Sequence, residues 1–498
     1  MIMLQKTLKE FVYYAKTHLF LDEEDAIYFS NILLHEFHLA SPFEGEIDEK
    51  KIASLEVPDT LIEELQKDLA LQEVSESESE RAADFILGLL SPLPSATEKM
   101  FLNIEKESGG KEALSWLYKL SIDNHYFQKT KVDRNLLWEA KFEKGSPLLI
   151  SINLSKPEKN NKDIAKLLKV QSVDYPKCPL CEENLGYYGD MKHAARTNIR
   201  FVSLSLAGER WFLQYSPYGY FPKHLIAFEK EHTPMAICRK TFTRLFDFVD
   251  RFPFFYIGSN SDLPIVGGSI LNHEHFQGGE PILPLLKAPK KEVVFKTAKG
   301  SELSILDFYI TALCLEGKDR SDLEALGDRI LQAWRPYSDP SCDILSGIGE
   351  ERHNTITPFA EKKGDTYRLI IGLRNNRTDA RYPDGIFHAH QEYHPIKKEG
   401  IGLIEAAGLF ILPARLLRQQ KEVDDVVSRG LSKEEAISLY PDIEPFFPMI
   451  EIMKKDKISS REYINNVCRG ILENVAVYKD DENGNRGLHR FLKEVFYE

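Results

Sequence analysis

Residues 254–279, FFYIGSNSDLPIVGGSILNHEHFQGG, narrow the choice of fold and chemistry more than any other part of the chain. The alternation His273-x-His275-x-Gln277 is strand-like, and an extended chain would put all three side chains on one face. Gly267 and Gly268 precede the row, and Gly278 and Gly279 follow it. Such pairs mark places where backbone turns sharply or approaches another group closely. A neutral imidazole attacks activated phosphorus and leaves again as a neutral ring. The Gln277 amide next to it can donate to a phosphoryl oxygen as charge builds. The plainer alternative is a polar strand with no chemistry. Because the constellation outweighs any one residue in it, chemistry is favoured.

Around this run the periodicity predicts α+β architecture. Helical spacing holds over residues 4–19, 26–39 and 82–90, and the polar stretch 73–81 reads as a linker or helix start. Strands are predicted at 136–142 and 147–154, then at 198–206, 210–215, 224–228 and 254–259, with a helix at 241–252. Residues 303–314 and 322–334 read as helices, 355–359, 367–373 and 385–390 as strands. Helices at 402–421, 432–440, 460–477 and 488–497 close the chain. The implied division is 1–150 mainly helical, 151–300 a first β-rich half, and 301–498 a second half with a helical tail. His273/His275 and His388/His390 each end a β-rich block, which suggests a faint internal duplication.

The formal charge of −13 argues against nucleic acid as the main partner, since phosphate backbones are bound through basic surfaces. No apolar run has the length of a membrane span, because Glu405, Gly408 and Pro413 break the longest candidate. The first 20 residues are amphipathic and lysine-spotted, unlike a secretion signal. Six cysteines among 498 residues do not form a disulfide framework. A soluble cytoplasmic protein is expected. Cys178 and Cys181, in KCPLC, form a CxxC knuckle suited to tetrahedral zinc, with a buried thiol pair as the alternative. His224, at the head of an apolar strand, reads as a packed imidazole. His394, Lys397 and Lys398 could form a cationic patch.

The runs FPKHLIAFEKEHTPM and GGSILNHEHFQGG resemble the histidine-triad superfamily. Within it they are similar to the second class of hexose-1-phosphate uridylyltransferases, which has His-Asp/Glu-His followed by Phe-Gln-Gly-Gly. HNTITP, LRNN, GIFHAH and HPIKKEGIGLIEAAGLFILPARL extend the resemblance over about residues 170–417. It implies two tandem antiparallel-sheet halves with added helical regions at both ends. It also implies a ping-pong transfer of UMP from UDP-glucose to galactose 1-phosphate through a nucleotidyl-histidine, with dinucleoside-polyphosphate or nucleotide-sugar phosphorolysis as the alternative. By motif position His275 is the nucleophile and Gln277 holds the transferring phosphoryl group. Gly267, Gly268 and Ser269 lie near phosphates, Arg196 and Asn198 near the nucleotide, and Lys398 and Glu405 near the hexose. His232 and His273 complete a structural zinc site with Cys178 and Cys181. His353, His388 and His390 occupy places comparable to a further metal site in first-class relatives. Relatives are commonly homodimers.

Overall fold

The computed structural model describes residues 2–143, 145–155, 175–190 and 193–497; the start of the resembling stretch, residues 170–174, lies outside them. Its centre is a ten-stranded sheet in the order β3-β4-β5-β7-β6-β13-β14-β10-β9-β8. The first half holds β3 (Val202–Leu206), β4 (Glu209–Tyr215), β5 (Leu225–Glu229), β6 (Tyr256–Ser259) and β7 (His275–Gly279). The second holds β8 (Lys290–Lys296), β9 (Glu302–Leu306), β10 (Ala312–Gly317), β13 (Asn354–Lys363) and β14 (Thr366–Asn375). Within the second half, between β10 and β13 in sequence, β11 (Gly347–Ile348) and β12 (Glu351–Arg352) form a small ribbon.

The duplication is topological. Each half runs three strands, a helix, then two strands, and each places its fifth strand between its third and fourth. The halves meet through their fourth strands, where Phe359 and Ala360 pair antiparallel with Gly258 and Ile257. The equivalent helices, Arg239–Arg251 and Arg320–Trp334, send apolar rows (Phe242, Leu245, Phe246, Val249; Leu323, Ile330, Leu331, Trp334) into one shared core. Arg320 fastens the two helices, lying 2.6 Å from Asp247 and 2.9 Å from Asp250.

On the opposite face, β1 (Leu136–Ala140), β2 (Leu148–Asn153) and β15 (Leu409–Pro413) form a three-stranded sheet in which β15 and β2 are parallel. With the carboxy-terminal helices it builds a second core around Ile150, Tyr256, Phe359 and Leu409. The amino-terminal helices bury their own core around Phe11, Leu65 and Ile86.

Several sequence expectations change. Residues 303–314 are not a helix but the hairpin β9–β10; both strands are buried on both faces, and such strands read as continuous apolar runs. Residues 385–390 form turns instead of a strand, with Gly385 at φ 122°. The fifth strand of the second half is β14, which contains no histidine, so His388/His390 is not the counterpart of His273/His275. The run 402–421 is interrupted: a short helix Leu403–Ala406, strand β15 and helix Arg415–Arg429 replace one long helix. Of the two readings of the polar stretch 73–81, the helix start holds: it opens the helix Glu76–Leu90, where Ser75 and Glu78 cap reciprocally.

Candidate active site

β7 is flanked by β5 and β6, so its backbone is paired on both sides and its side chains are held rigidly. Phe276 points into the shared core, stacked on Trp211 with ring centres 4.7 Å apart. His275 and Gln277 point the other way, into a cavity of about 800 Å³. His273 stops short of the strand, in the bend that leads into it.

The His275 ring is oriented by its own chain. Nδ1–H donates to the carbonyl oxygen of His273 at 2.8 Å, which leaves the lone pair on Nε2. Burial pushes its pKa down to about 4, so the ring is neutral at pH 7. Gln277 is oriented from the neighbouring strand end: His224 Nε2–H donates to Gln277 Oε1 at 3.0 Å. Burial holds His224 neutral as well, at about 4, and Tyr220 stacks on it at 5.4 Å. With Oε1 engaged, the Gln277 amide nitrogen is the end left to donate. His224 is a residue that sequence reasoning set aside as packing. Only the pairing of β5 with β7, a non-local fact, joins it to Gln277.

The remaining walls come from both halves. Gly267, Gly268 and Ser269 line one side. A Cβ on Gly267 would stand 2.5 Å from Ser261 O and 2.6 Å from Leu263 O, so this loop closes only with glycine there. Asn260 Oδ1 accepts from the Leu403 amide at 2.8 Å and ties the loop to the second half's tail. From that tail, Glu405 lines the cavity and Lys397 Nζ donates to it at 3.0 Å.

Three expected contacts fall elsewhere. Lys398 is exposed and outside the cavity lining, because the buried cation of HPIKKE is Lys397. Asn198 is 2% exposed and built into the helical region: its amide donates to Asp84 Oδ1 and Asn124 O, both at 3.1 Å. Arg196 lies 5.8 Å above the Tyr126 ring, away from the cavity lining.

Cys178, Cys181, His232 and His273 converge so that all four donor atoms lie within 4.8 Å of one another. Cys178 Sγ is 3.5 Å from Cys181 Sγ and 3.2 Å from His273 Nδ1, and Cys181 Sγ is 3.0 Å from His232 Nδ1. Tetrahedral zinc–sulfur and zinc–nitrogen bonds imply donor separations of about 3.3–3.8 Å, so the set fits a metal of this kind. His273 Nε2–H donates to Glu229 O at 2.7 Å, which turns its Nδ1 lone pair toward the cluster. Without a metal, burial and the neighbouring Cys178 push the Cys181 thiol up to about 12.

His353, His388 and His390 do not come together in this way. Among the described residues they form no ligand group with one another. His353 Nδ1 bonds Asn376 Oδ1 at 2.9 Å, His388 Nε2 accepts from the Ile401 amide at 3.3 Å, and His390 Nε2 donates to Ile386 O at 3.0 Å. The expected second metal site is therefore a set of separate hydrogen-bonded imidazoles.

A doubled sheet that aims one oriented histidine into a glycine-walled cavity has the parts that a nucleotidyltransferase needs. Residues 23–234 match the family model for the galactose-1-phosphate uridyl transferase N-terminal domain. The chain is 38% identical over 496 residues to galactose-1-phosphate uridylyltransferase of Caldanaerobacter subterraneus subsp. tengcongensis, covering 95% of this chain and 94% of that one. It is also 38% identical over 484 residues to the enzyme of the same name from Clostridium acetobutylicum, covering 95% and 96%. The chain belongs to the galactose-1-phosphate uridylyltransferase family. Among solved structures, yeast Ap4A phosphorylase Apa2 is similar over 66% of this chain and 89% of its own, with 11% identity and a TM-score of 0.33.

Proposed function

We propose that the protein moves a uridylyl group from UDP-glucose to galactose 1-phosphate, carrying it on His275. The observation that carries this reading is the His275 ring itself: neutral, fixed through Nδ1, and opening on a cavity large enough for a nucleotide sugar. In the first half-reaction Nε2 attacks the α-phosphorus. A nitrogen–phosphorus bond forms, the bond to the bridging oxygen breaks, and glucose 1-phosphate leaves with the electron pair. In the second, a phosphate oxygen of galactose 1-phosphate attacks the same phosphorus. The imidazole departs neutral and UDP-galactose is released. Throughout, the His273 carbonyl accepts from Nδ1–H and stabilises the positive charge that the ring gains.

Gln277 donates to the phosphoryl oxygens as charge builds on them. Gly267, Gly268 and Ser269 face the phosphates, and Glu405, held by Lys397, accepts from hexose hydroxyls. Zinc held by Cys178, Cys181, His232 and His273 would be structural, fixing the bend that delivers His275 to the cavity. The family resemblance adds a homodimer, and the sparse free cysteines are in keeping with a cytoplasmic setting. No helix among the described residues is long and apolar enough to cross a membrane.

The test is acceptor choice. Protein incubated with UDP-glucose labelled in the uridine is given galactose 1-phosphate or orthophosphate. Labelled UDP-galactose from the first supports transfer to a hexose phosphate. Faster release of labelled UDP with orthophosphate indicates a phosphorylase instead.

A further inference from the structure

The loop that brings Gly267 and Gly268 to the cavity contains a backbone conformation that its sequence disfavours. Ile265 lies at φ 72°, and the Val266 amide donates to the Pro264 carbonyl at 2.9 Å, two residues back. This is a γ-turn with a positive central φ, a rare and strained form, and a β-branched residue is among the least suited to its centre. Ile265 itself lines the cavity. Strain of this sort persists only where the surroundings over-determine it.

The surroundings are those second-half histidines that do not form a metal site. Asn376 Nδ2 donates to the Pro264 carbonyl at 3.3 Å, so the oxygen that closes the turn is held from outside as well. Asn376 is held in turn by His353: the His353 Nδ1–H donates to Oδ1 at 2.9 Å, and the Asn376 amide donates to the His353 carbonyl at 3.1 Å. Both residues are 5% exposed. With Oδ1 engaged by the imidazole, the side-chain nitrogen is the end presented to Pro264. On the other side Gly385 leaves room for the Ile265 side chain. A Cβ there would stand 3.1 Å from Ile265 Cγ2 and 2.8 Å from the His388 Cβ.

We propose that Asn376, oriented by His353, is a positioning residue: it keeps the strained turn at Ile265 formed and thereby fixes Gly267 and Gly268 as the phosphate-facing wall. The second half thus reaches the chemistry of the first through this amide as well as through the Leu403 tie to Asn260. This rests on the reading of Gly267–Gly268 as that wall.

The experiment compares Asn376→Leu, Ile265→Gly and the double variant, reading KM for UDP-glucose, kcat and Tm. Asn376→Leu is expected to raise KM about tenfold, the weight of one buried hydrogen bond, and to change kcat less than about threefold. In the Ile265→Gly background the turn is unstrained and needs no holding, so the same substitution costs less than about threefold. Its Tm penalty shrinks in parallel. His353→Leu behaves like Asn376→Leu, whereas His353→Asn, which keeps a donor, stays near wild type. Should Asn376→Leu not fold, the near-isosteric Asn376→Asp removes the same donor and serves in its place. Equal KM factors in both backgrounds overturn the proposal, as does coupling in Tm without coupling in KM. The Tm series needs no turnover. Failure of the wild-type protein to transfer UMP would instead strike the functional reading and leave the turn's support intact.

Discussion

The Nδ1 of His275 lies 2.8 Å from the carbonyl oxygen of His273, whose own ring points its Nδ1 at Cys178 3.2 Å away. One residue therefore serves two purposes. Its side chain belongs to the Cys/His cluster, and its backbone sets the tautomer of the imidazole that faces the cavity. Anything that displaces the His273 bend alters the aim of His275 Nε2 without touching the ring.

Metal removal should show this coupling. The purified protein is expected to carry about one zinc per chain, and Cys181→Ser should lose it together with about 10–100-fold in activity, the usual weight of groups that orient a site. Metal analysis, Tm and initial rates check it together. Full activity in metal-free protein would separate the cluster from the chemistry.

Gln277 and His224 should behave as a unit. Gln277→Leu is expected to lower kcat about 10²–10³-fold, as for loss of a donor to a developing phosphoryl charge. His224→Phe preserves the stacking on Tyr220 but removes the bond to Oε1, so a smaller loss is expected. In the Gln277→Leu background it should add little, which steady-state kinetics of the double variant will show.

The buried imidazole of His224 also predicts an acid limb in stability. Its pKa falls from the usual value near 6.5 to about 4 because of burial. Between those values the unfolded chain binds the proton and the native one does not, so stability rises with pH across that window. The contribution is full above pH 6.5 and is lost as pH falls toward 4. Urea unfolding at pH 7 and pH 5 measures it, and His224→Phe should flatten the slope by about one proton.

Asn198 gives the opposite sort of test. Its side chain donates to Asp84 and Asn124, and Asn124 Nδ2 returns a bond to Asn198 O at 2.7 Å. Asn198→Ala should cost about 1–3 kcal/mol of stability by stranding buried partners, with KM for UDP-glucose unchanged. A raised KM with unaltered Tm would return this residue to the nucleotide site.

What the sequence shows and what it hides follow from range. The H-x-H-x-Q row, the glycine pairs and CxxC are local patterns, and each carries its chemistry within a few residues. Glu405 lines the cavity, and of the two lysines named for the cationic patch only Lys397 is buried against it, a difference in burial that adjacent lysines do not reveal in sequence. His224 and Asn376 became visible only once strand pairing and loop packing had joined distant segments. The duplication does not lie in the histidine pairs, since only His273/His275 reaches the site and its Cys/His cluster while His388/His390 stands apart. It resides in strand order, and β14 keeps its position there with no trace of the motif. Residues 303–314 misled because strands buried on both faces lose the alternation that identifies them.

Covalent trapping reads out whether His275 carries the uridylyl group. Protein exposed briefly to UDP-glucose labelled in the uridine, then denatured and digested, should yield one labelled peptide containing residue 275, with the label acid-labile and base-stable. His275→Asn should yield none and should lose turnover. Label on another residue, or sustained turnover by His275→Asn, would mean that His275 is not the carrier.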